Sequence, residues 1–95
     1  MSRLVFLLED RSMKVFLEQL LPRLFPNLSF LCVEHEGKND LEKSIPRKLK
    51  GWKEPGAQFL VLRDNDGGDC RITNRRISEI CKAAGRPDTI IRLAC

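Results

Sequence analysis

Ninety-five residues, 42% of them hydrophobic and 32% charged, suffice for one small domain with one continuous core, and this composition is that of a folding chain. The net charge of +4 is compatible with a nucleic-acid partner without establishing one. No apolar run approaches the roughly 20 residues of a membrane span, and the first one meets Glu9 and Asp10 too early for a secretory signal, so a cytoplasmic protein with no membrane partner is expected.

Leu4-Val5-Phe6-Leu7-Leu8 is apolar at every position, the pattern of a strand covered on both faces. Asp10 or Ser12 is placed to cap a helix whose inward stripe is Met13, Phe16, Leu17, Leu20, Leu21 and Leu24, with Pro22 disturbing its last turn. Leu28 to Val33 reads as a second strand. Asn39 or Asp40 then starts a second helix, with Leu41, Ile45, Leu49 and Trp52 inward and Pro46 interrupting it. Phe59 to Leu62 is a third strand running into Arg63-Asp64-Asn65-Asp66-Gly67-Gly68-Asp69. Thr73 or Asn74 caps a third helix that buries Ile77, Ile80, Cys81 and Ala84 and stops at Gly85; Thr89 to Ala94 is a fourth strand. Strand and helix alternate throughout, which predicts an α/β fold: a four-stranded parallel sheet with helices on both faces, a Rossmann-like three-layer arrangement in a single domain, residues 1–95.

The cysteines Cys32, Cys70, Cys81 and Cys95 have neither C-x-x-C nor zinc spacing and read as reduced thiols; Cys95, at the end, is the one placed to link two chains on oxidation. A homodimer or a protein partner is compatible with this pattern.

In open parallel sheets, ligands bind beyond the carboxyl ends of the strands where the strand order reverses. Glu9 follows the first strand, and Asp64 and Asp66 follow the third. If those strands are neighbours, three carboxylates converge, a repulsive arrangement that a hard, oxygen-preferring cation relieves. Asp-x-Asp in a turn is common for its backbone hydrogen bonds alone, so the pairing with Glu9 is what gives the motif meaning. A calcium loop starting at Asp64 fails because Arg75 stands where the bidentate Glu belongs. Gly67 and Gly68 after a third strand do not fit the dehalogenase-type phosphatase motif.

This order, with Glu9 at one strand end and Asp64-Asn65-Asp66 at another, resembles the Toprim fold of type IA and type II topoisomerases, bacterial primases and nucleases of the overcoming-lysogenisation-defect type. Four stretches resemble, more narrowly, a bacterial Toprim-like domain family of unknown function: Leu8 to Ser12, Gly37 to Leu49, Val61 to Asp66 and Ala84 to Asp88. The resemblance implies Glu9 as general acid or base, Asp64 and Asp66 as ligands of Mg²⁺, and phosphodiester chemistry on nucleic acid, for which DNA ranks ahead of RNA as the expected partner. Asp10 stands where Toprim first motifs usually carry Gly. The family also continues past its fourth strand into an acidic, Trp-containing segment, so the resemblance implies a copy truncated at its C-terminal end.

The chain has no Tyr, which excludes a self-contained topoisomerase and leaves a Toprim-type nuclease, or its remnant, as the expectation. Lys38, Lys43, Arg47 and Lys48 are the residues expected to hold a nucleic-acid backbone. His35 reads as a surface loop residue and Trp52 as a packing anchor. The alternative is a non-catalytic Toprim-like module that binds nucleic acid or protein.

Overall fold

The computed structural model describes residues 3–54, 56–64 and 70–94, with backbone alone for Asp64 and Ala94. Seven elements alternate: β1 (Leu4–Leu8), α1 (Arg11–Leu24), β2 (Phe30–Val33), α2 (Lys38–Gly51), β3 (Gln58–Asp64), α3 (Cys70–Ala83) and β4 (Ile90–Ala94). All four strands are parallel, in the order β2-β1-β3-β4. The chain steps one way from β1 to β2, then α2 carries it back across β1 to β3. The order therefore reverses between the two central strands.

Successive residues of β1 feed two separate cores, which is why that strand is apolar throughout. Val5 and Leu7 pack with Phe59 and Val61 of β3, Leu41, Ile45 and Leu49 of α2, and Ile77 and Cys81 of α3. Phe6 and Leu8 pack with Cys32 of β2 and Leu21 of α1 on the opposite face. Helices thus lie on both faces, two against one.

That imbalance corrects the expected stripe of α1. Phe16 is 62% exposed and Leu24 58%, while Leu21 is buried and Met13 and Leu17 are partly so. A single helix covers this side, so its outer flank meets no neighbour among the described residues. Asp10 is the N-cap of α1, its Oδ1 accepting from the Met13 N–H at 3.0 Å. Pro22 falls in the last turn, and the helix ends two residues after it.

Helix starts differ most from expectation. α2 begins at Lys38 because Gly37, at φ +95°, turns the chain directly out of the β2 loop. Asp40 still serves that turn from inside the helix, accepting from the Glu36 N–H at 2.9 Å. Pro46 does not interrupt α2: it lies on the exposed side while Leu41, Ile45 and Leu49 hold the opposite side in the core. α3 is already helical at Cys70, and Thr73 is buried within it instead of capping it. Its end is as expected, with Gly85 at φ +82° and the Arg86 N–H donating to Cys81 O at 2.9 Å, the six-to-one bond of a Schellman stop.

Arg86 then seals the far end of α2, donating to Leu49 O at 3.2 Å and Trp52 O at 3.0 Å, with its guanidinium 4.8 Å from the Phe59 ring centroid. Trp52 packs edge-on against Phe59, the anchoring role expected for it. Cys32 and Cys81 are free and buried. Cys70 carries a disulfide whose partner lies outside the described residues, a departure from the expectation of four reduced thiols.

Candidate functional site

The carboxyl rim of the sheet is where β1 and β3 end side by side, in register Leu7 with Val61 and Leu8 with Leu62. Glu9 is the next residue of the first chain segment. It is half-buried, and its carbonyl accepts the Gly37 N–H at 2.9 Å. Asp64 is the last residue of β3, opposite Ala94 of β4. The backbone therefore brings Glu9 and Asp64 to neighbouring strand ends on one rim, at the point of order reversal. Asp66 and the side chain of Asp64 lie outside the described residues. Among the described residues no three His, Cys, Asp or Glu side chains gather as a metal-holding group.

His35 is the largest departure at this rim. Expected at the surface, it is only 5% exposed. Its Nδ1 lies 2.7 Å from Leu8 O and its Nε2 2.8 Å from Lys48 Nζ. A carbonyl only accepts, so Nδ1 carries the proton and donates; Nε2 is then the acceptor for the lysine amine. The ring is held neutral: burial pushes its pKa below the ordinary value, the positive charge of Lys48 adds to this, and the bond to Leu8 and the charge of Asp40 oppose it. Burial also lowers the pKa of Lys48, against the pull of Asp40 and with the repulsion of Arg47. Asp40 is itself held below its ordinary value, chiefly by the hydrogen bond from Glu36.

The consequence is mechanical as well as electrostatic. His35 and Gly37 both bond to the backbone at the end of β1, at Leu8 and Glu9, and so fasten the β2–α2 turn to the segment that carries Glu9. Lys48 is positioned one imidazole ring away from that segment. One histidine among 95 residues, lying just after a strand, offers no periodic signal, and its burial depends on α2 folding over it.

A second group missed by sequence lies between α2 and α3. Arg63, 6% exposed at the end of β3, bonds Glu42 Oε1 through Nη1 at 2.5 Å, and Arg76 of α3 bonds the same oxygen at 2.6 Å. No described residue bonds Arg63 Nε. Two guanidinium groups on one carboxylate tie strand and both helices together directly beneath the rim. Arg63 reads in sequence as the first polar residue of a loop, whereas β3 continues through it to Asp64.

The four residues expected to hold a nucleic-acid backbone separate. Lys43 and Arg47 are exposed on α2, Lys38 is partly buried in its first turn, and Lys48 is turned inward to His35. Among the described residues no helix is long and apolar enough to cross a membrane. Comparison of the chain with protein-family models, curated proteins and solved structures gives no match in any of the three.

Proposed function

We propose that this domain carries out metal-dependent phosphodiester chemistry on nucleic acid, as a Toprim-type nuclease or a remnant of one. The single observation supporting this reading is the adjacency of β1 and β3, which puts Glu9 and Asp64 on the same rim at the order reversal, where parallel sheets take their ligands. Asp66 follows two residues after Asp64 and completes the carboxylate set that the Toprim resemblance assigns. An all-oxygen donor set of this kind fits Mg²⁺, with Asp64 and Asp66 as the residues that would hold it; the ion would supply charge neutralisation at a bridging phosphate.

The chain's own part follows from the rim. Glu9, on a segment braced by His35 and Gly37, exchanges a proton with the attacking water or the leaving oxygen. Lys48, its amine directed by His35 Nε2, supplies a fixed donor beside that segment. The substrate is DNA in preference to RNA, and the setting is cytoplasmic.

The test is cleavage of labelled single- and double-stranded DNA with and without Mg²⁺, using Glu9→Gln, Asp64→Asn and Asp66→Asn. Loss of Mg²⁺-dependent cleavage in all three variants, with circular dichroism unchanged, supports the reading. Cleavage that survives in the aspartate variants overturns it. A wild-type protein that neither cleaves DNA nor shifts its Glu9 amide resonance on Mg²⁺ addition is instead a non-catalytic module.

A further inference from the structure

A concave surface lined largely by cations lies away from α2. Between α3 and the edge strand β4 runs an open groove of about 670 Å³, with Leu93 of β4 on its inner side. Arg71, Asn74, Arg75, Ser78, Glu79 and Lys82 line it from the helix. Among the described residues three cations face one carboxylate there, and Arg75 and Lys82 are exposed. Among the described residues none that lines it is aromatic.

The spacing suits a linear polyanion. Arg71 and Arg75 are one helical turn apart, about 6 Å along the axis, and Lys82 extends the row to about 16 Å. Asn74 and Ser78 alternate with the cations and offer neutral side-chain donors, the mixture with which proteins hold phosphate and sugar oxygens. α3 starts after the β3 end that carries Asp64, so its first turn is the end of the groove nearer the carboxyl rim.

We propose that this groove holds the sugar–phosphate backbone of a nucleic-acid strand and delivers it to the rim. The ligand class is taken from the function proposed above, but binding here requires neither the metal nor cleavage. With no aromatic platform in the groove, recognition runs through phosphates and is indifferent to the bases.

The experiment is fluorescence anisotropy of the full chain with 5′-labelled dT12 and dA12, in EDTA at a series of salt concentrations. EDTA separates the two readings, because a protein with no nuclease activity still binds if the groove assignment is right. Arg75→Glu/Lys82→Glu is compared with Lys43→Glu/Arg47→Glu, which makes the same change in net charge on α2. The α3 variant is expected to bind at least about tenfold more weakly at low salt, and its log–log salt slope to fall by about 1.4, or about 0.7 for each single-strand phosphate no longer neutralised. The α2 variant is expected to change little, and dT12 and dA12 to bind alike. Equal losses in the two variants, which would reflect net charge alone, overturn the proposal. So does an unchanged salt slope, or equally tight and equally groove-dependent binding of a poly-glutamate peptide. Both variants alter exposed side chains, and matching thermal unfolding confirms that each is folded.

Discussion

Replacing His35 with Phe removes two hydrogen bonds from a site that is only 5% exposed while keeping a planar ring there. Lys48 is partly exposed and turns its amine to water at little cost, so the loss lies mainly at the Leu8 carbonyl. A buried acceptor deprived of its partner costs about 1–3 kcal/mol, and the middle of that range is about 2 kcal/mol. In a domain of this size that lowers Tm by about 8–16 °C. Thermal unfolding followed by circular dichroism at pH 7.5 measures it. A second readout follows from the depressed pKa of the ring. Below the ordinary histidine value of about 6.5, the unfolded imidazole takes up a proton that the folded one still refuses, so acid favours the unfolded state. Wild-type stability therefore falls as the pH drops from about 6.5 to the lowered folded value, and the loss is complete below it. The Phe variant lacks this penalty, so the stability gap between the two proteins narrows on acidification. A gap under about 0.5 kcal/mol at pH 7.5, or one that widens toward pH 5, refutes the buried neutral tautomer.

Glu42→Ala strips the shared carboxylate from Arg63 and Arg76 and strands a guanidinium that is almost wholly buried, for an expected loss of about 3 kcal/mol in urea unfolding. Arg63→Met removes that charge along with its partner's role and is expected to cost clearly less; equal losses would contradict the desolvation argument. Gly85→Ala meets no atom within 4 Å, so its cost is the left-handed backbone alone, about 1–2 kcal/mol, and a neutral outcome in the same assay would show that the turn relaxes.

The order of elements, the buried strands and the Gly85 stop were legible in the residues, because they follow from local periodicity and from the conformations that single residues prefer. Leu4 to Leu8 is apolar on both faces wherever the strand lies in the sheet. The same reasoning misplaced the starts of α2 and α3, because Asn39 and Thr73 are good caps in isolation and nothing local says that the chain turns earlier, at Gly37, or is already helical at Cys70. Of the candidate site, Glu9 and Asp64 could be named from sequence but not brought together.

Their meeting on one rim is a long-range fact. It needs α2, with Leu41, Ile45 and Leu49 packed in the core, to carry the chain back over β1 so that β3 pairs with β1 and not with β2. The burial of His35, the Arg63–Glu42–Arg76 bridge, the exposure of Phe16 and the groove between α3 and β4 are likewise set by which elements lie side by side. Local composition specified what each segment would become; which side chains meet was decided only when distant segments excluded water from between them.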